Sequence, residues 1–289
     1  MNKCLASAKW FWIVIIIFSG IACCHNRPIC TIPLTGYRAP CTMGQYQPIP
    51  GDILFQDLHC GPLCDAIKTV TEGHEGANFA HVGMVSRVEC GTEAWVIEAV
   101  SDGVVETPLE AFLARSCDAV GRPPVFLGRL KPNYRHLIPG ALANAQEFLG
   151  MPYDSIYAID NNSFYCSELI YEAFLRANEG QPLFELEPMT FKDPETGVSF
   201  PGWVGHYDTL GIAIPEGELG LNPGGMSKAH FLDIIYAYGR PEGYSGKIGV
   251  LQTNTLLLRN NPRQALPAPL NCPIHPYCYY EEDEECPCP

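Results

Sequence analysis

NNSFYCSELIYEAF, residues 161–174, places a single cysteine, Cys166, at the start of what reads as a helix. Ser163 is a suitable N-cap, which makes Cys166 a first-turn residue. Leu169, Ile170, Ala173, Phe174 and Ala177 follow at helical spacing, and positions 166, 170, 173 and 177 share one stripe. The thiol is therefore expected to face the body of the protein, where two effects compete. Apolar burial raises a thiol pKa and leaves it inert, whereas a helix N-terminus and a nearby imidazolium lower it and create a nucleophile. A buried structural cysteine is the commoner outcome of such a stripe, so the reading turns on finding a base.

The segment FAHVGMV (79–85) offers one. By strand alternation Phe79, His81, Gly83 and Val85 share a face. A second apolar run, AWVIEAV (94–100), carries Glu98 as its only charge, and a lone carboxylate there costs free energy unless it is paired. SRVECGTE (86–93) joins the two runs as a hairpin connection. With the turn centred on Cys90 and Gly91, His81 and Glu98 are diagonal neighbours on one face, within reach of long side chains. A half-step slip would send them to opposite faces. A strand histidine is usually a satisfied core residue and a strand glutamate usually a solvent-facing one. Both on one face, with a first-turn cysteine elsewhere, favour a nucleophile, base and orienting carboxylate.

The rest of the chain bounds the setting. It has 289 residues and a net charge of −14, and it carries no basic stripe; a nucleic-acid partner, which needs a surplus of Lys and Arg, is excluded. Lys3 and Lys9 precede WFWIVIIIFSGIACC (10–24). That run suits the core of an export signal better than a membrane-spanning helix, which needs about 20 apolar residues. Its Ala-Cys ending predicts a lipoprotein-type signal over residues 1–23 with lipidation at Cys23, although Gly20 stands where such signals usually carry Leu. Fourteen cysteines suit an oxidising, exported setting. Residues 24–47 read as a tether, 48–250 as one catalytic domain and 251–289 as a Pro/Cys-rich acidic tail.

Within the domain, GDILFQDL (51–58) and PVFLGRLK (124–131) read as strands, and IPGALANAQEFLG (138–150) as a helix. TPLEAFLARS (107–116) reads as a helix capped by Thr107 with Pro108 at its first position. Residues 180–228 form a long Pro/Gly-rich region that could shape a cleft, and His206 within it reads as structural or substrate-side. HCGPLCDAI (59–67) allows a Cys60–Cys64 disulfide; a zinc pair with His59 and His74 fits no strong ligand spacing, and no metal or cofactor is expected.

Together PGDILFQD (50–57), FAHVGMV, VIEAV (96–100), MPYDSIY (151–157) and FYCSELIY (164–171) resemble the circularly permuted NlpC/P60 papain-like family of the YiiX type. The resemblance covers roughly residues 49–238, with the histidine strand ahead of the cysteine helix. It implies an α+β fold in which a small, mainly antiparallel sheet packs against helices. It also implies Cys166 as nucleophile, His81 as base and Glu98 as the residue that orients it, in a cysteine peptidase or amidase. The Cys166 N–H and a tyrosine hydroxyl are candidates for the oxyanion, with Tyr153 ahead of Tyr157 and Tyr165. The expected reaction is amide hydrolysis in the bacterial cell envelope, on cell-wall peptide or an acylated small molecule, by a protein held at the membrane through a lipid anchor. An acyltransferase, a lipid-ester or lipopeptide hydrolase, and a non-catalytic ligand-binding lipoprotein are the alternatives.

Overall fold

The computed structural model describes residues 46, 48–89, 93–118 and 121–247. The export signal, Cys23, most of the tether and the acidic tail lie outside the described residues. Strand β1 (Ile53–Gln56) leads to helix α1 (Pro62–Val70), then to strands β2 (His81–Glu89), β3 (Glu93–Val100) and β4 (Gly103–Pro108). Helix α2 (Leu109–Ala114), strand β5 (Val125–Leu130) and helices α3 (Ile138–Glu147) and α4 (Cys166–Ala177) follow. The remaining elements are β6 (Glu187–Pro188), α5 (Pro201–Leu210), β7 (Leu219–Gly220), α6 (Pro223–Ser227) and β8 (Leu232–Ala237).

Six strands form one antiparallel sheet in the order β4-β3-β2-β1-β5-β8, and β6 pairs with β7 as a separate ribbon. Both faces of the sheet are covered, which is why β1 is buried along its whole length instead of alternating. On one face Ile53, Phe55, Val82, Met84 and Ile97 pack with Leu142 of α3 and Leu169, Ile170 and Phe174 of α4. On the other, Leu54, Val85, Val96 and Leu127 pack with Phe112 and Leu113 of α2. A third apolar cluster stands apart from the sheet, where α1, the 153–165 loop and α5 meet around Tyr157, Tyr165, Phe191, Trp203 and Tyr207.

Two helix starts differ from the sequence reading. Thr107 and Pro108 do not open α2; they end β4, a strand the pattern did not suggest, and α2 begins at Leu109. The cap of α4 is Tyr165, two residues beyond Ser163, whose hydroxyl instead donates to Asn161. Cys166 is thus the first helical residue. In place of a side-chain cap, Glu168 in the first turn reaches back to the Tyr165 N–H at 3.4 Å.

The loop ahead of α4 is fixed at both ends. Gly103 has φ 100°, and a Cβ there would meet the Met151 carbonyl at 2.4 Å, so only glycine permits this approach. Val104 N–H then donates to Met151 O, and Gly150 N–H to Val104 O. Further on, Asp154 is buried and takes the N–H groups of Ile156 and Ala158 at 2.8 and 2.7 Å. That clasp encloses Tyr157, a non-glycine residue at φ 57°.

Candidate active site

His81 is the first residue of β2, and Glu98 lies near the end of β3. Met84 pairs with Ile97, so the same register sets Glu98 beside Gly83 and diagonal to His81. A β-bulge produces this alignment. Next to the hairpin, Glu89 pairs with Glu93, a half-step slip that would carry Glu98 to the face opposite His81. Ser86 is the extra residue between the Val85–Val96 and Arg87–Trp95 pairs, and it restores the parity. Its hydroxyl is held by Glu106 at 2.6 Å.

His81 Nε2 and Glu98 Oε2 are 2.6 Å apart, and the carboxylate is fully buried. Thr107 donates to Glu98 Oε1 at 2.6 Å, and Arg115 Nη2 reaches both oxygens at 2.8 and 2.6 Å. Burial would push this acid up, but the hydrogen bonds from His81 and Arg115 outweigh it and hold Glu98 down at about 2. Nε2 is committed to Glu98, which leaves Nδ1 as the nitrogen open to Cys166, the free thiol among the described cysteines and a cause of the raised imidazole pKa.

Burial works against both charges of this pair and is overcome in each. It pushes the imidazole down, yet the bonds to Cys166 and Glu98 raise His81 to about 9. It pushes the thiol up, yet His81, the Ser167 hydroxyl and the Val82 N–H together bring Cys166 below its ordinary value. The N-terminal end of α4 favours the same thiolate. One carboxyl nearby is kept neutral: burial, reinforced by Asp154, lifts Glu168 to about 8 against the N–H groups of Asp160 and Tyr165.

The tyrosines differ in what their hydroxyls do. Tyr165 accepts the Leu221 N–H at 3.1 Å, whereas the Tyr153 and Tyr157 hydroxyls face each other at 3.4 Å. Burial keeps all three protonated: Tyr157 is pushed up to about 12, and Tyr153 and Tyr165 also lie well above the usual phenol range. The thiol, His81 and these tyrosines line one cleft of about 800 Å³. His206 also lines it, with Nε2 bonded to Ser155 O at 2.6 Å.

Residues 47–236 match the family described as permuted papain-like amidase enzymes, YaeF/YiiX, C92. The chain belongs to this family. It is therefore an enzyme of the cysteine-peptidase type, with the α+β permuted papain-like fold. Among solved structures it resembles one titled metalloprotein yiiX from Escherichia coli O157:H7, at 24% identity and a TM-score of 0.51, over 68% of this chain and 100% of that one. That likeness speaks to the fold alone. Among curated proteins, none matches.

The word metalloprotein belongs to that neighbour. Here no group of three His, Cys, Asp or Glu side chains is placed to hold a metal ion among the described residues, and Cys60 and Cys64 are joined in a disulfide. Glu98, the carboxylate nearest His81, is already occupied by Arg115 and Thr107. These donors do not fit a metal centre at the cleft.

Arg115 and Thr107 are the functional neighbours that sequence reasoning missed. Thr107 lies opposite Val96, on the Glu98 face of β4, so recognising the β4 strand would have exposed it. Arg115 carried a weaker signal: a lone cation just past the apolar residues of α2.

Proposed function

We propose that this family member hydrolyses an amide bond in the bacterial cell envelope through an acyl-enzyme on Cys166. One observation carries the reading: the free, buried Cys166 opens a helix and faces a histidine whose other nitrogen is fixed by an ionised glutamate. His81 Nδ1 takes the Cys166 proton, and Glu98 holds the ring and stabilises the imidazolium. The thiolate attacks the carbonyl carbon; the imidazolium then protonates the departing amine nitrogen as the C–N bond breaks, leaving a thioester. Water, deprotonated by His81, attacks that thioester and releases the carboxylic acid with the thiol restored. The Cys166 N–H, unpaired in the helix as every first-turn amide is, and the protonated Tyr153 hydroxyl are the oxyanion donors.

Export supports the envelope setting. The basic start, the apolar run over residues 10–24 and the Ala-Cys junction at Cys23 suit a lipid-anchored protein. Cell-wall peptide and N-acyl amides are the substrate classes such a location offers.

The test is the pH dependence of Cys166 alkylation by iodoacetamide, mapped by mass spectrometry, in the wild type and in His81→Ala. Rapid labelling below pH 7 is expected in the wild type. In His81→Ala the thiol loses its largest counterweight to burial and should titrate well above the wild-type thiol, toward the free-cysteine value of about 8.5. Equal profiles in the two proteins would refute the pair.

A further inference from the structure

Gln56 ends β1 inside the sheet, and its side chain is fully buried. In the β1–β2 register it lies directly opposite His81, so the two side chains leave the same face of the sheet as cross-strand neighbours. That face is the one α2 covers, and the His81 ring stands 5.7 Å from the ring of Phe112. Gln56 Nε2 donates to Phe112 O at 2.6 Å and to Ser116 Oγ at 2.9 Å. Chemistry fixes which amide atom points this way, since an oxygen in the place of Nε2 would oppose the Phe112 carbonyl.

These two bonds land on either side of Arg115. Helix α2 has six residues, too few to be stable alone, and Phe112 O is among the carbonyls that a helix leaves open at its end. Arg115 is the C-cap residue, and its Nη2 donates to both Glu98 oxygens. One buried amide thus ties the strand beside the histidine to the helix end that supplies the guanidinium for Glu98. Its net stabilising value is small. Gln56 Oε1 is buried with no partner among the described residues, and the desolvation of that carbonyl offsets much of what the two donated bonds contribute. What the amide supplies is a fixed direction for the end of α2.

We infer that Gln56 is a positioning residue of the active site: by holding Phe112 O and Ser116 it sets Arg115 at the end of α2, and through Arg115 it keeps the Glu98 carboxylate on His81 Nε2. The inference rests on the reading of Cys166, His81 and Glu98 as the catalytic set. Gln56 touches none of the reacting atoms. It differs from Thr107, which donates to Glu98 directly. Without the amide, Arg115 and Glu98 both remain, but the helix end that aligns them is loose and the imidazole loses its single orientation.

The test compares the full-chain wild type with Gln56→Met, Arg115→Met and their double variant. Two quantities are read: the low-field proton signal of His81 Nε2–H at pH 7, identified by its loss in His81→Ala, and the rate of Cys166 alkylation by iodoacetamide at pH 6. Methionine matches glutamine in length and brings no donor. Gln56→Met should therefore keep a urea midpoint close to the parent's, while the Nε2–H signal broadens or moves upfield and alkylation slows about ten-fold. Leu127→Ala, which opens a cavity in the same apolar layer, should do the reverse: a lower midpoint with signal and rate unchanged. The double variant should label no more slowly than Arg115→Met, because both changes break one chain of contacts. An unchanged signal and rate in Gln56→Met would overturn the inference. So would effects of the two substitutions that multiply, which would put Gln56 on a route separate from Arg115. A signal lost as fully in Leu127→Ala as in Gln56→Met would reduce Gln56 to packing. The hydrolase reading fails separately: an ordinary Cys166 thiol in the wild type removes the chemistry, while a His81 signal that Gln56→Met disturbs keeps the positioning.

Discussion

His81 uses its two ring nitrogens for different tasks, and Glu98 is what makes the division possible. Its 2.6 Å contact with Nε2 fixes which nitrogen turns to the thiol, and its charge helps hold the imidazole at about 9 despite burial. Glu98→Gln keeps the shape and removes the charge. Burial, which lowers the imidazole pKa, then gains weight, and the alkaline limb of kcat/KM should move from about 9 toward neutrality. The rate at the optimum should fall by about 100-fold or more, since an amide can also hold the wrong tautomer. A pH–rate profile of the two proteins on one coumarin amide checks both effects; an unmoved alkaline limb would detach Glu98 from the histidine. Tyr153→Phe is the milder case. Losing one oxyanion donor should lower kcat by about 100-fold with KM little changed, whereas a purely packing role would leave kcat within a few-fold.

At the scale of elements, the position of Glu98 depends on two features flanking β3. One is the Ser86 bulge, which converts a hairpin of the wrong parity into one that sets His81 and Glu98 on one face. The other is the end of α2, where Arg115 Nη2 donates to both Glu98 oxygens while the guanidinium lies 5.0 Å from the Phe112 ring. Arg115→Met should destabilise the fold by about 1–3 kcal/mol, because a buried carboxylate loses a charged donor. Arg115→Lys should recover only part of that, since a strongly hydrated ammonium loses the guanidinium's packing over the Phe112 ring. Denaturant midpoints of the three proteins decide it; equal recovery by Lys and Arg would mean that charge alone matters. These elements also show where the sequence was legible. The stripe behind Cys166 and the alternation around His81 announced themselves because each is a run of apolar residues at one period. GVVETP (103–108) did not, because Glu106, Thr107 and Pro108 look like a helix start while in fact finishing an edge strand. The bulge left no local signal either: the same face pairing was expected from a turn centred between Cys90 and Gly91, and it arises instead from a slipped hairpin corrected at Ser86. Residues 180–228 read as loop because α5 and α6 are short and glycine-containing, yet they supply Trp203 and Met226 to the cleft.

For the whole molecule, the buried ionisable groups set opposing slopes of stability against pH. Glu98 is held at about 2, below its ordinary 4.5, so its contribution is present above pH 4.5 and is lost as pH falls through 2; the difference is worth about 3 kcal/mol. Glu168 runs the other way. Its carboxyl is raised to about 8, so the folded state keeps a proton that the unfolded chain releases near 4.5, and stability declines as pH rises from 4.5 to 8. His81, held at about 9, contributes stability that is present below pH 6.5 and lost as pH rises through 9, while the lowered Cys166 thiol works in the opposite direction. Maximal stability is therefore expected on the acid side of neutrality, near pH 5, in a chain whose net charge of −14 at pH 7 adds its own repulsion as carboxyls ionise. Glu168→Gln removes the proton that the fold must surrender, so it should leave the unfolding free energy at pH 5 within about 1 kcal/mol of the parent and raise it by a few kcal/mol at pH 9. Urea midpoints at the two pH values measure this directly. A variant with the parent's alkaline decline would assign that decline to the overall charge, and would mean that Glu168 is already ionised in the folded state.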